Sequence, residues 1–127
     1  MRYLADTHLL LWAGNAPERL SKIAREIFKD SDNELFFSTV SIWETAIKFS
    51  RGRDYFTVPP ATLRRGLLTT GFQEITITSE HAMAVPGLAL HHGDPFDRML
   101  VAQPMIEGLT LLTSDKTLAK YPGTMRI

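Results

Sequence analysis

Asp94-Pro95-Phe96-Asp97-Arg98-Met99-Leu100-Val101-Ala102-Gln103-Pro104-Met105-Ile106-Glu107-Gly108-Leu109-Thr110-Leu111-Leu112-Thr113-Ser114-Asp115 is the stretch on which the fold reading turns. Asp94 sits where a helix N-cap belongs, Pro95 has the fixed φ suited to a first helical position, and Gly108 is placed to end the helix. Leu109 to Thr113 follows as a continuous apolar strand, and Asp115 to Lys120 as a last helical turn or two. Outward from this unit the same alternation repeats. Tyr3 to Ala5 reads as a short buried strand ending at Asp6-Thr7, before a helix that begins at Leu9 and is closed by Gly14. Ser21 to Lys29 places Ile23, Ala24, Ile27 and Phe28 at helical spacing, Glu34 to Ser38 reads as a strand, and Ser41 to about Ser50 as a helix. Past Gly52 and Pro59-Pro60, the pattern predicts a helix over Ala61 to Thr70, a strand over Gln73 to Thr78 and a short helix over Ser79 to Val85, stopped by Pro86-Gly87. Thr124 to Ile127 reads as a terminal edge strand.

Strands separated by helices imply an α/β fold, with a parallel, doubly wound sheet of about five strands and right-handed crossovers. The 127 residues suit one domain spanning 1–127. With 44% hydrophobic and 22% charged residues and a mean hydropathy of −0.06, the chain is neither disordered, collagenous nor membrane-embedded. The absence of cysteine excludes disulfide scaffolds, thiolate zinc sites and cysteine nucleophiles. Met1 to Asp6 meets an acid before any signal-peptide core forms, and the expectation is a cytoplasmic protein with no membrane association. Fourteen basic residues balance fourteen acidic ones. Net charge alone therefore argues mildly against a nucleic-acid partner.

Ligands of such sheets bind outside the carboxyl ends of the strands. Asp6 follows the first strand, Glu44 lies in the first turn after the second, Asp97 opens the helix that Asp94 caps, and Asp115 follows Leu109 to Thr113. Singly, most of these acids have a capping explanation. Asp6 and Asp115 suit N-caps, Ser41-Ile42-Trp43-Glu44 has the form of a capping box, and Glu44 with Lys48 makes an i,i+4 pair. Together they converge on one rim. Two carboxylates ~4 Å apart repel by ~4 kcal/mol at an effective dielectric of 20. A helix start offsets about 0.3–1 kcal/mol of that for each acid. A cation or a proton must therefore intervene. Oxygen-only ligands select a hard cation, Mg²⁺ or Mn²⁺, over zinc, and such a site suits phosphodiester hydrolysis by metal-activated water.

Leu4-Ala5-Asp6-Thr7-His8, Ser41-Ile42-Trp43-Glu44 with Lys48, His92 through Gln103, and Leu112-Thr113-Ser114-Asp115 resemble the PIN-domain ribonucleases. The likeness is greatest to the toxin members of bacterial VapBC-type toxin–antitoxin pairs. The resemblance implies a PIN-like α/β/α sandwich, an Mg²⁺- or Mn²⁺-dependent endoribonuclease activity on RNA, a homodimer, and inhibition by a small cognate antitoxin. The family's acidic quartet falls on Asp6, Glu44, Asp97 and Asp115 as catalytic and metal-holding residues. Asp94 is the subgroup's extra acid, expected behind the metal-holding groups. Gln103-Pro104 departs from the pattern, because proline inside a helix removes a donor and crowds the preceding turn.

Other residues carry weaker signals. His8, His81, His91 and His92 lack ligand spacing, which favours solvated loop or helix-surface roles. Thr7 and Ser114 adjoin acids and suit either helix starts or bonds to a bound water or phosphate. Arg51, Arg53, Arg64 and Arg65 suit a solvated face or a ridge for an RNA backbone. Trp43, Ile47, Phe49, Phe56, Leu63, Leu67 and Leu68 read first as core and second as a groove for an antitoxin helix. The competing function is a receiver-like signalling domain with an acidic Mg²⁺ pocket. Against it, the chain lacks an acid pair straight after the first strand and a convincing Lys just before a Pro at the fifth. An aspartyl phosphohydrolase needs Asp-x-Asp where Asp6-Thr7-His8 stands.

Overall fold

A computed structural model of the chain describes residues 1–53 and 56–127. The strands are β1 (Arg2–Ala5), β2 (Glu34–Ser38), β3 (Gln73–Ile75), β4 (Thr110–Thr113) and β5 (Thr124–Arg126). The helices are α1 (Thr7–Asn15), α2 (Lys22–Lys29), α3 (Thr39–Ser50), α4 (Pro60–Thr69), α5 (Ser79–Ala84) and α6 (Pro95–Glu107). Among the described residues, single 3₁₀ turns also form at Pro17–Arg19, Val85–Gly87 and Leu118–Lys120. The sheet runs β3-β2-β1-β4-β5 with every neighbouring pair parallel. The chain builds outward from β1 first to one side and then to the other, so the order reverses between β1 and β4. At such a switch point the diverging connections leave a crevice at the carboxyl ends of the strands.

The period-2 alternation of the strands divides the core between the two faces of the sheet. Tyr3 and Ala5 of β1, Phe37 of β2 and Leu112 of β4 join Leu9, Leu10 and Leu11 of α1, Ala24 of α2 and Leu63 and Leu67 of α4. Leu4, Phe36 and Leu111 point the other way, to Val40 of α3 and Leu100 and Val101 of α6. Burial of each such large side chain stabilises by roughly 1.5–3 kcal/mol, which is why the central strands are apolar on both sides.

Several boundaries differ from the sequence expectation for local reasons. The first helix runs past Gly14 to Asn15. Helix α3 begins at Thr39, because the Ser38 hydroxyl caps it by accepting from Val40 N at 3.0 Å. Ser41-x-x-Glu44 therefore lies inside the helix and forms no capping box. Strand β3 ends at Ile75 rather than Thr78, since Thr78 turns to cap α5 and His81 closes a reciprocal box with it. After β4 only a 3₁₀ turn forms, over Leu118–Lys120. His81 is not on the surface. It is buried, with Nδ1 accepting from Thr78 N at 3.1 Å and Nε2 2.8 Å from Glu107 Oε1.

Helix α6 continues through Pro104 to Glu107. The Pro104 carbonyl accepts from Gly108 N and Leu109 N, and Gly108 adopts φ +70°, ψ 36° to turn the chain into β4. This left-handed conformation is the position where glycine is required. A Cβ built on Gly108 meets nothing within 4 Å, so the cost of a side chain there is conformational alone. Gly108→Ala is expected to lower the free energy of unfolding by about 1–2 kcal/mol, read as a shift in urea midpoint at unchanged m value. A shift indistinguishable from zero would show that the helix end does not hold this conformation.

Candidate functional site

Asp6 leaves β1 at the switch point and caps α1, accepting from Leu9 N at 3.0 Å through Oδ1. Its Oδ2 accepts the hydroxyl proton of Thr113, the last residue of the adjacent strand β4. Burial raises the Asp6 carboxyl above its ordinary value; Glu44 adds to the rise, against the lowering effect of Thr113, Leu9 N and His8. Glu44, also buried, projects from α3. Thr7 Oγ1 donates to its Oε1 at 2.6 Å, and Lys48 Nζ donates to its Oε2 at 2.5 Å. The i,i+4 pairing read from sequence thus exists and supplies a cation at one side of the cluster.

Asp94 performs the capping work at the start of α6, accepting from Phe96 N at 2.8 Å and Asp97 N at 3.1 Å. That leaves the Asp97 side chain free to point into the crevice. Its carboxyl is pushed up to about 7, first by burial and then by Asp94, Glu44, Asp6 and Asp115. Every acid of the expected set acts on this one group. Asp115 follows β4, with Oδ1 accepting from Thr117 N at 2.7 Å and Leu118 N at 3.4 Å.

One residue of the cluster was not expected from the sequence. His92 Nε2 lies 3.2 Å from Asp97 Oδ2 and 3.6 Å from Asp115 Oδ2. One ligand atom from each of these three residues falls within 4.8 Å of the others. His92 Nδ1 accepts from Asp94 N at 3.1 Å, so in the neutral ring Nε2 carries the proton and faces the carboxylates as a donor. It bridges Asp97 and Asp115 where a cation would also be attracted. The loop that carries it is fastened from two sides. Tyr121 Oη accepts from His91 N and His92 N at 3.2 and 3.1 Å and donates to Ala89 O at 2.6 Å. The Arg98 guanidinium donates to Val85 O, Ala89 O and His92 O. The sequence clue was the position of His92, two residues before a helix cap and five before Asp97.

The structure therefore brings Asp6, Glu44, Asp97 and Asp115 to one rim with Asp94 behind Asp97. Their engagement is unequal. Asp6 and Glu44 are buried and held by hydroxyls, a backbone N–H and Lys48, whereas Asp97 and Asp115 border the open space. Donors that are almost all carboxylate oxygens, with one carboxyl driven up by its neighbours' negative charge, fit a hard divalent cation. Of the remaining candidates, Thr7 braces Glu44. Ser114 lines an open concavity with His8, Trp12, Arg19 and Asp115. Arg64 is paired with Glu74 at 2.9 and 3.1 Å, so the Arg51–Arg65 ridge loses one of its four members. Phe56, Leu63 and Leu67 are core, while Trp43, Phe49 and Leu68 are partly exposed.

Among the described residues no helix is long and apolar enough to cross a membrane. The chain is 29% identical over 119 residues to Ribonuclease VapC22 of Mycobacterium tuberculosis (strain ATCC 25618 / H37Rv), covering 93% of this chain and 90% of that protein. Its fold is similar to that of VapBC2 from Rickettsia felis bound to a DNA fragment from its promoter, with TM-score 0.68, 15% identity and coverage of 100% and 98%. A toxin–antitoxin complex from Klebsiella pneumoniae superposes with TM-score 0.64 at 18% identity, covering 98% of this chain and 99% of that one. The sequence itself matches the PIN domain family over residues 3–123. By that match, which takes in β2, β3, β4, most of β1 and all four converging acids, the chain belongs to the PIN-domain family.

Proposed function

We infer that the chain is a metal-dependent endoribonuclease and the toxin of a toxin–antitoxin pair, working in the cytoplasm. The observation that carries this reading is the convergence of Asp6, Glu44, Asp94 and Asp115 on the Asp97 carboxyl. The similarity to a protein named as a ribonuclease supports the substrate class. The family match favours this reading over the receiver-like alternative. Complexes of toxin and antitoxin among the structural neighbours support a small protein antitoxin as partner. An apolar concavity of about 400 Å³, lined in part by Leu11, Val58, Leu63, Leu67 and Phe72, suits a helix of that partner. A homodimer accords with the same family resemblance, and residues 1–127 are read as one PIN-like domain.

Asp97 and Asp115 would hold Mg²⁺ or Mn²⁺, with Asp6 and Glu44 completing the negative wall. When bound, the ion offsets charge on the phosphoryl oxygens and makes water a competent nucleophile at neutral pH. The protein's part is positional. Thr113 fixes the Asp6 carboxylate, Thr7 and Lys48 fix that of Glu44, and the cap on α6 fixes the turn bearing Asp97. Asp97 holds a proton on its carboxyl up to about pH 7 in the metal-free protein and gives it up when cationic charge arrives.

Asp97→Asn is expected to reduce cleavage of single-stranded RNA by at least about 10²-fold, as does EDTA with wild type, with mapped 5′ ends as the readout. Aspartyl labelling by an acyl-phosphate donor, with no RNA cleavage, would instead establish the signalling reading. The pH dependence has a definite sign. The folded Asp97 carboxyl binds its proton more tightly than the unfolded one, so metal-free stability falls as pH rises from about 4 to about 7. Asp97→Asn removes that loss, and its melting temperature relative to wild type should rise through this window; a variant destabilised equally at every pH would make Asp97 a structural residue. Mn²⁺ should raise the melting temperature of wild type in proportion to the logarithm of its concentration above Kd, and much less so that of Asp97→Asn. Equal shifts would remove the metal from this site.

A further inference from the structure

The acid cluster poses a problem for its own substrate, because a polyanion must approach a rim lined by carboxylates on a chain of zero net charge. Positive charge therefore has to be segregated somewhere beside the site. Several cations are committed elsewhere. Arg2 pairs with Glu34, Lys48 with Glu44, Arg64 with Glu74, and Arg98 is spent on loop carbonyls. A different set is arranged along one edge of the crevice. An open concavity of about 600 Å³ has Asp115 on one wall and Ser114, His8, Trp12 and Arg19 on the others. The Arg19 guanidinium lies 5.7 Å from the centre of the Trp12 ring, held against its face.

Directly beyond Arg19, Lys22, Arg25 and Lys29 follow on α2 at spacings of three and four, which places them on one helix face. All three are exposed, and among the described residues none takes part in an ion pair. With Glu26 they line a second open concavity of about 420 Å³, three cations against one anion. Helix α2 delivers the chain to the start of β2, at the end of the sheet opposite the acids. It therefore runs away from the rim with Lys22 nearest to it. Its eight residues extend about 12 Å.

We propose that Lys22, Arg25 and Lys29 form a track for the RNA backbone, continuing from the Arg19 concavity and leading the strand away from the acid cluster. The proposal rests on the ribonuclease reading above and adds to it the path of the substrate. The stripe contacts phosphates, positions the strand, and carries no base readout. Its contribution is to binding and not to the chemical step.

The test uses the full chain and a labelled single-stranded RNA. Cleavage kinetics are measured with Mn²⁺, and binding by fluorescence anisotropy in EDTA, both across a potassium chloride series. The Lys22→Gln/Arg25→Gln/Lys29→Gln variant should raise KM roughly tenfold at low salt and leave kcat within about twofold. It should also flatten the slope of log Kd against log salt by about 2, since each lost phosphate contact on a single strand removes about 0.7. The charge-conserving Lys22→Arg/Arg25→Lys/Lys29→Arg variant should keep the wild-type KM and slope. An unchanged KM and slope in the triple glutamine variant overturns the track, as does a loss confined to kcat. A defect seen only with an acidic protein partner, with RNA binding intact, also overturns it and makes the stripe a protein-docking face. Should wild type cleave no RNA yet bind it in EDTA with a slope the triple variant flattens, the ribonuclease reading fails and the track stands.

Discussion

Negative charge crowded at a sheet reversal is the constraint to which the rest of this molecule answers. A parallel sheet that grows from β1 in both directions must bring the ends of β1 and β4 together, and here those ends carry Asp6 and Asp115. Helices α3 and α6 start at the same rim and add Glu44 and Asp97. Each close carboxylate pair costs about 4 kcal/mol at ~4 Å in an effective dielectric of 20, several times what one helix start returns. The protein answers with Lys48 at Glu44, the His92 Nε2–H between Asp97 and Asp115, and a proton on Asp97. These devices leave the most space around Asp97 and Asp115, the two acids that are not enclosed.

Holding α3 and α6 in register is a separate task, performed by a buried polar chain. Ser38 Oγ, which caps α3, also donates to Gln103 Oε1 at 2.5 Å, and Gln103 Nε2 reaches Thr76 O at 3.4 Å. Gln103 is fully buried in α6, and without these partners its amide would cost about 1–3 kcal/mol. The bond joins the helix bearing Asp97 to the cap of the helix bearing Glu44. Gln103-Pro104 thus has a local account. The glutamine ties two elements together, and the proline lies one turn from the Gly108 exit, where its carbonyl accepts the two N–H groups that close the helix. The rim end of α6 is remote from both.

The sheet and the acids were legible in the sequence because they depend on local rules that tertiary packing reinforces. Asp94-Pro95 and Gly108 bracket a helix by backbone preference, and Leu111-Leu112 is apolar on both faces because both faces are covered. What stayed hidden depends on exact strand exits or on partners far away in the chain. Ser41-x-x-Glu44 has the spacing of a capping box, but Ser38 is the residue whose backbone is extended at the strand exit, and its hydroxyl takes the cap. His81 looks like a surface residue until Thr78 and Glu107 are found on its two nitrogens. His92 looks like a loop residue until Tyr121, about thirty positions on, and Arg98 pin its loop against the acids. Thr78 and His81 share capping-box spacing, but no spacing rule links His81 to Glu107 or His92 to Tyr121, whose proximity is created by the fold.

Net charge was the least informative sequence property, and the reason is physical. A sum over the chain discards position, while a polyanion responds to the local potential within about 8–10 Å, the screening length at physiological salt. Fourteen cations and fourteen anions produce opposite potentials on neighbouring surfaces when the anions gather at one rim and unpaired cations line the adjoining helix. On the nuclease reading proposed above, segregation of this kind would also limit how strongly the metal-free protein holds RNA, because the strand would meet repulsion at the acids as soon as it left the basic edge. A divalent ion at the cluster would relieve the charge of the acids and of the strand together. Metal and RNA binding would then be coupled through electrostatics, with the acids as the shared term.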